Sequence, residues 1–263
     1  MIMFTMERES TIAMVKHICF FVLCLFFILP THATELVDTL KKVKPSVVAI
    51  GISNPTGSPR IRLIGSGFVV SPGNRIVTNY HVIANPLDES KLEQYVVLSG
   101  HGTVFKVHQI TQQSHAPAYD LALLSINEQL PALAVSKTSL VAEGTSIAFT
   151  GFPITQVLGL YPATHTGIVA AQTPIAIPVE SARDLKLSML KQLDKPYLVY
   201  QLDAVAYPGN SGSPLYRPDN GEVIGIINQV YIKTSREAVL SDPSGISYAI
   251  PSQHLLNLMQ QSN

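Results

Sequence analysis

The sequence is poor in cysteine, in tryptophan and in charge. It contains two Cys and no Trp among 263 residues, and charged residues make up only 14%. Two cysteines exclude a small secreted scaffold held together by many disulfides. Eighteen basic and 18 acidic side chains give a formal net charge of zero, so we expect no nucleic-acid partner. The hydrophobic content of 46% argues against a disordered chain, and the length suffices for a full core.

The longest apolar run lies near the N-terminus. Residues 18–29 carry no charge, Lys16 precedes them, and the small-residue sequence THA follows at residues 31–33. This order is typical of a secretory signal peptide. Because a membrane-spanning helix needs about 20 apolar residues, we expect a cleaved signal over residues 1–33 and no stable membrane span afterwards. The sequence therefore predicts a periplasmic or secreted protein, and cleavage would remove both cysteines.

Residues 34–263 are expected to form one all-β domain between two short helices. Short apolar or alternating runs, separated by turn residues, recur at a spacing of roughly 8–12 residues, which is typical of a sandwich or a barrel. Helical periodicity predicts helices over residues 34–44 and 251–261, with Ser252 as a cap of the second. A further helix is predicted over residues 179–195. Three roles stay open for it: covering a cleft, binding a partner, or packing on the β-structure.

Three segments carry a histidine, an aspartate and a serine in an order that matters chemically. They place His81 in IVTNYHVI, Asp120 in YDLALL and Ser211 in PGNSGSPL. A serine hydroxyl is a weak nucleophile at neutral pH and needs a neighbouring base. We predict that His81 takes the proton of Ser211, and that Asp120 holds the imidazole in the correct tautomer. The order His, Asp, Ser excludes the arrangements of α/β-hydrolases and subtilisins.

The residues around Ser211 predict the rest of the catalytic machinery. The flanking glycines allow a tight turn with unusual backbone angles, which can direct the N–H groups of Gly209 and Ser211 at a developing oxyanion. No metal site is predicted. The spacing of His101, His108 and His115 is unlike that of a compact zinc motif, and these histidines are expected at the surface or in loops.

The same segments resemble a known protease family. GSGFVV, IVTNYHVI, DLALL, LDAVAYPGNSGSPL, GEVIGI and ISYAIPS stand in the order and at the spacing of trypsin-like serine proteases of the bacterial HtrA/Deg type. The resemblance covers about residues 36–259. It implies two antiparallel six-stranded β-barrels, over about residues 45–135 and 140–251, with the active site in the cleft between them. It also implies endopeptidase activity on polypeptides without a metal or organic cofactor. Proteins of this type usually carry one or two PDZ domains after the protease domain, but only 52 residues follow Ser211, so we expect a protease domain without a PDZ module.

The resemblance also implies where a substrate binds. Val205, six residues before the nucleophile, is placed at the base of the specificity pocket, with Tyr207 close by. An Asp at the pocket base would select Lys or Arg, so the uncharged Val205 predicts small or aliphatic residues at the cleaved position. The strand that contains Ile226, Ile227 and Asn228 is expected to pair with the substrate backbone as an added β-strand.

Two classes of function are compatible with these residues. The first is an exported serine endopeptidase that cuts unfolded or extended polypeptide, either generally or with a narrow target. The second is a pseudoprotease that binds peptides without cutting, or that cuts only when a partner orders the oxyanion turn. A monomer and a homo-oligomer both stay open. His165 is interpreted either as a structural histidine or as a contact to substrate.

Overall fold

The computed structural model describes residues 35–154, 159–175, 197–228 and 246–262. The predicted signal segment and the predicted helix at residues 179–195 lie outside these ranges. Apart from Glu35, everything described below belongs to one structural unit, Leu36–Asn263. Within the described ranges, no helix combines the length and the apolar character that crossing a membrane requires.

The first half of the domain is a seven-stranded antiparallel sheet preceded by a helix. The elements are α1 (Glu35–Val43), β1 (Val47–Ser53), β2 (Ile61–Val70), β3 (Arg75–Asn79), β4 (Gln94–His101), β5 (Val104–Gln109), β6 (Gln112–Ala116) and β7 (Leu121–Ser125). The strands lie side by side in the order β5-β4-β1-β2-β3-β7-β6. The apolar run of β1 is buried on both faces, and β1 pairs with β2 along one edge and with β4 along the other.

This sheet differs from the expected six-stranded barrel in strand number and in closure. Its edges are β5 and β6, although only residues 110 and 111 separate them in the chain. Six inter-strand spacings would place the edges of a flat sheet about 29 Å apart, whereas a two-residue link spans about 10 Å. The sheet must therefore curl until its edges meet at this link. In the described residues β5 pairs with β4, and β6 pairs with β7, but β5 and β6 do not pair with each other.

The second half is a closed six-stranded antiparallel barrel followed by a helix. The elements are β8 (Ser146–Gly151), β9 (Ala163–Pro174), β10 (Leu198–Asp203), β11 (Pro214–Tyr216), β12 (Val223–Asn228), β13 (Ile246–Pro251) and α2 (Ser252–Gln261). The strands close in the order β10-β13-β12-β11-β8-β9, so each of these six described strands has a hydrogen-bonded neighbour on both sides. The predicted all-β architecture, with antiparallel β-structure in both halves and a short helix at each end, is confirmed.

A single hydrophobic cluster joins the two halves. It contains Phe68 of β2 and Leu121 of β7 together with Phe152, Tyr216 and Leu255, all of them fully buried. Fully burying one such side chain contributes about 1.5–3 kcal/mol relative to leaving it exposed. The cluster therefore fixes the two halves against each other, and the site described next draws its residues from both.

The closing helix α2 begins differently from the prediction. The Ser252 side chain does not cap the helix; its hydroxyl instead donates to the carbonyl oxygen of Ser136 at 3.0 Å. Ser252 and Leu255 are fully buried, and Leu258 is only 3% exposed. The serine therefore ties α2 to the connection between the halves. Tertiary packing has replaced the local capping bond that the sequence predicts.

Candidate active site

His81 and Asp120 are brought together by the pairing of two strands. His81 lies in a short 3₁₀ turn, Tyr80–Val82, directly after β3, and Asp120 lies directly before β7. Since β3 and β7 pair with Asn79 opposite Leu121, the two side chains meet at one end of the sheet. His81 Nδ1 is 2.6 Å from Asp120 Oδ2. A proton on Nδ1 that faces the carboxylate leaves Nε2 available as a base.

Hydrogen bonds hold both the carboxylate and the backbone carbonyl of Asp120. Its backbone is left-handed, with φ of 51°, a conformation that Asp tolerates better than most residues. The backbone N–H of His81 donates to Oδ1 at 2.8 Å, and the Asn228 side chain donates to Oδ2 at 2.9 Å. Its carbonyl oxygen accepts from Tyr80 N at 3.0 Å and from the Asn79 side chain at 3.1 Å. Because Asn228 belongs to the barrel, the second half of the domain helps to orient this carboxylate.

Ser211 lies in a turn that requires glycine on both sides. Gly209 and Gly212 have φ of 101° and 88°, in the region that side chains with a Cβ rarely adopt. A Cβ on Gly209 would also collide with the carbonyl oxygen of Phe152, and a Cβ on Gly212 with that of Ser66. The Ser211 carbonyl accepts from Ser66 N at 2.9 Å. The turn is therefore seated directly on β2 of the first half.

The backbone donors of this turn fall into two groups. Three are paired with carbonyl oxygens: Asn210 N with Tyr207 O at 2.9 Å, Gly212 N with Ile227 O at 3.0 Å, and Ser213 N with Asn210 O at 3.0 Å. The N–H groups of Gly209 and Ser211 donate to no group in the described part of the chain. Two unpaired N–H groups beside a serine are what stabilising a tetrahedral oxyanion requires.

The carbonyl groups around these donors point elsewhere. Pro208 O accepts from Ile154 N at 2.6 Å, and because the peptide group is planar and trans, Gly209 N points away from Ile154. Gly209 O accepts from the Ser66 hydroxyl at 2.7 Å.

In the described residues no hydrogen bond joins Ser211 Oγ to His81. Such contacts are often long without substrate and tighten when it binds.

Comparison with known proteins identifies the family. A family model described as a trypsin-like peptidase domain matches residues 65–226, more than half of the chain. The chain belongs to this family. Serine protease HTRA3 of Rattus norvegicus is 30% identical over 231 residues, which are 86% of this chain and 44% of the relative. Mitochondrial serine protease HTRA2 of Bos taurus is 32% identical over 232 residues, 86% and 43% of the two chains. The trypsin-like peptidase thus spans less than half the length of these relatives.

A solved structure shares the fold. The active form of the Rv3671c protease from M. tuberculosis superimposes with a TM-score of 0.62 at 21% identity, over 88% of this chain and 86% of that chain. At this identity the likeness concerns the fold. The predicted membership in the HtrA-type, trypsin-like serine proteases is confirmed by the family match and the relatives together.

The pocket residues predicted for the trypsin-like peptidase form an uncharged segment. Val205 is partly exposed, while Ala204 and Ala206 on either side are nearly buried. Ser247 of β13, which the sequence analysis missed, bridges the two alanines. Its hydroxyl accepts from Ala206 N and donates to Ala204 O, both at 2.8 Å. Nothing local in the sequence indicates this bridge, because its partners lie more than 40 residues away.

Tyr207 and His165 lie close together beside the same segment. Their ring centroids are 5.9 Å apart, and the His165 ring also stacks on Phe149 at 4.8 Å. Burial lowers the pKa of His165 from its ordinary value, which favours the neutral imidazole. Stacking on a core aromatic residue suits a structural histidine, and the nearness of Tyr207 keeps a contact to substrate open.

The register of β12 corrects the predicted role of Ile226 and Ile227. Both are fully buried, and both pair with β13 on one side. On the other side Ile226 pairs with β11, and the backbone of Ile227 bonds to Gly212 N and Ser213 O. They therefore offer no backbone edge for a substrate strand. Asn228 is the last residue of β12 and has a strand partner in β13 but none in β11. Its side chain, which was expected near substrate, donates to Asp120.

His108 also differs from the prediction. It is 1% exposed, although a surface or loop position was expected for it. Its Nε2 lies 2.7 Å from the Ser99 hydroxyl of the neighbouring strand, and its Nδ1 lies 2.9 Å from Glu128 Oε2. This pairing lowers the pKa of Glu128. Within the described ranges, no group of three or more His, Cys, Asp or Glu side chains could hold a metal ion.

Proposed function

We propose that this trypsin-like peptidase is an exported serine endopeptidase that hydrolyses extended polypeptides with a triad of His81, Asp120 and Ser211. The observation that carries the proposal is the pair of N–H groups, on Gly209 and Ser211, without an acceptor in the described residues. The 2.6 Å contact of His81 with Asp120 supports it further. Export rests on the apolar run at residues 18–29.

The catalytic cycle follows from these groups. Ser211 Oγ attacks the carbonyl carbon of the scissile bond while His81 Nε2 takes its proton, and Asp120 stabilises the resulting imidazolium. The carbonyl oxygen becomes negatively charged and accepts from Gly209 N and Ser211 N; losing one such donor typically costs about 2.7–4 kcal/mol of barrier lowering. His81 then protonates the leaving amine. A water molecule, deprotonated by His81, hydrolyses the acyl-enzyme and releases the carboxylic acid product.

The proposed substrate preference is for small or aliphatic residues at the cleaved position. It is supported by the uncharged segment of Ala204, Val205 and Ala206 and by the Ser247 bridge that fixes it. A peptide library would test this preference. Dominant cleavage after aliphatic residues is expected, and dominant cleavage after Arg or Glu would overturn it.

A fluorophosphonate probe, which reacts with an activated serine, tests the proposed activity. Labelling is expected for the full chain and is expected to vanish in Ser211→Ala. Ser90→Ala, at an exposed serine in the turn Glu89–Lys91, serves as the matched control and should label normally. Persistence of the label in Ser211→Ala would contradict the role of this serine.

The alternative is a pseudoprotease that binds peptides, and one observation is compatible with it as well as with a peptidase that awaits substrate. No hydrogen bond joins Ser211 Oγ to His81 in the described residues, as expected of a base that does not activate its nucleophile. The same probe separates the two functions. A folded protein that binds peptide but resists labelling, with or without that peptide, would favour the binding function.

A further inference from the structure

Ser66 is a buried serine of β2 whose contacts the catalytic cycle above does not use. It is 0% exposed. Its backbone N–H donates to Ser211 O at 2.9 Å, and its carbonyl accepts from the Thr78 hydroxyl at 2.8 Å. Its own hydroxyl donates to Gly209 O at 2.7 Å and accepts from Phe152 N at 2.9 Å. One residue of the first half therefore contacts the nucleophile turn of the second half at two carbonyl oxygens.

The bond to Gly209 O acts on the peptide group that lies between the two proposed oxyanion donors. Gly209 O and Asn210 N belong to one planar, trans peptide group. The Ser66 hydroxyl holds its oxygen, and Tyr207 O holds its N–H at 2.9 Å. Gly209 has no Cβ, so its own side chain does not resist rotation of this group. A rotation would change the relative directions of Gly209 N and Ser211 N, and the bonds to Ser66 and to Tyr207 oppose it from the two ends of the peptide group.

We propose that Ser66 is a positioning residue for the oxyanion donors: its hydroxyl bond to Gly209 O keeps the N–H groups of Gly209 and Ser211 convergent. The inference rests on the proposed peptidase function and adds to it a residue from the opposite half of the domain. Ser66 touches neither substrate nor reacting atoms in this role. It acts through the turn that carries them.

Ser213 offers a control within the same buried cluster. It is also a fully buried serine, and its hydroxyl and that of Ser66 both crowd the position that a Cβ on Gly151 would take. The two hydroxyls differ in their bonds. That of Ser66 makes two, whereas that of Ser213 has no hydrogen-bond partner in the described residues. Ser213→Ala therefore removes the same atom from the same surroundings without loosening the turn.

The test compares Ser66→Ala, Ser66→Cys and Ser213→Ala in the full-length chain. Each is assayed for kcat and KM on a fluorogenic peptide, and for binding of a peptidyl boronic acid and of the matching peptide in which hydrogen replaces the boronic acid group. The boronate forms a tetrahedral adduct that needs both donors, whereas the matching peptide presents no oxygen to them. Because losing one donor typically lowers kcat by about 10²–10³, a displaced donor in Ser66→Ala should lower kcat and boronate affinity by about 10- to 100-fold.

Several readouts separate positioning from general damage. KM and the affinity for the matching peptide should stay as in wild type, because neither depends on the oxyanion donors. Ser66→Cys, with a weak thiol donor of similar size, should lose less, and it carries the test if Ser66→Ala does not fold. Circular dichroism and thermal unfolding check each variant. Ser213→Ala should keep wild-type kcat and boronate affinity.

Two results would overturn the inference. The first is that both Ser66 variants have the same kcat and the same boronate affinity as Ser213→Ala. The other is an equal loss of affinity for the boronate and for the matching peptide, which indicates disruption of the whole site. A wild-type chain that neither cleaves peptide nor binds the boronate would instead overturn the proposed function, and with it the role of Ser66.

Discussion

The two halves of the domain hold their catalytic groups in different ways. His81 and Asp120 lie on short turns at one end of an open, curled sheet. Ser211 and its neighbouring N–H groups lie in a glycine-bounded turn that leads into β11 of a closed barrel. In the barrel half, the groups to be held are backbone N–H donors of a turn. The sheet fixes side chains, which need further hydrogen bonds to stay in place.

Both the side chains of the sheet and the turn of the barrel are also held by hydrogen bonds from the opposite half. Asn228 of the barrel donates to Asp120, and Ser66 of the sheet donates to Ser211 O and Gly209 O. Each half therefore orients the catalytic group of the other. Substitutions can test this comparison of an open sheet with a closed barrel. They remove either a side chain within one half or a hydrogen bond between the halves.

The largest effect is expected from the carboxylate of the first half. Asp120→Asn would place an amide beside both His81 Nδ1 and the donating amide of Asn228, so the imidazole loses its orienting acceptor. In a triad of this kind the change lowers kcat by about 10⁴. Steady-state kinetics measure it, with Asp203→Asn at an exposed position of β10 as the control. A loss below tenfold would argue that Asp120 does not orient the base.

The next effect concerns stability and compares two phenylalanines. Phe149 is fully buried in the barrel, whereas Phe105 on the edge strand β5 is 42% exposed. Phe149→Ala should lower the free energy of unfolding by about 3–5 kcal/mol, as expected for a core cavity. Phe105→Ala should cost under about 1 kcal/mol. Urea unfolding measures both, and equal losses would show that the sheet edge is as closely packed as the barrel core.

A smaller effect separates a bond between the halves from a bond within one half. Asn228→Ala removes a donor to the Asp120 carboxylate, and hydrogen bonds to charged groups contribute about 1.5–3 kcal/mol. We expect kcat to fall by about 10- to 100-fold. Asn79→Ala removes a donor to the Asp120 carbonyl, which keeps its bond from Tyr80 N. Its kcat should change by less than about threefold, and the opposite ranking would contradict the cross-half orientation of Asp120.

The sequence predicts the groups within each half better than the bonds between them. His81, Asp120 and Ser211 stand in distinctive local segments, and the terminal helices follow from helical periodicity. The Ser66–Gly209 bond joins residues 143 positions apart and leaves no local pattern. The same holds for the Ser247 bridge and for the burial of His108, whose neighbours are set by strand register. The open sheet also escaped prediction, because closure depends on whether two edges pair and not on the strand sequences alone.

The smallest effect concerns two half-buried histidines, His165 of the barrel and His254 of the closing helix. Burial lowers the pKa of both His165 and His254, so the unfolded chain binds protons more readily than the folded one below the ordinary value of 6.5. The stability they contribute is complete above that pH and is lost as the pH falls through the lowered folded values. His165→Phe and His254→Phe keep the stacking on Phe149 and on Tyr119 but remove the proton uptake. The free energy of unfolding should therefore decline less between pH 7.5 and pH 5 in each variant than in wild type, and least in the double variant. His101→Phe, at an exposed position, controls for the loss of an imidazole as such. If the decline were unchanged in both His165→Phe and His254→Phe, the acid sensitivity would belong to other groups.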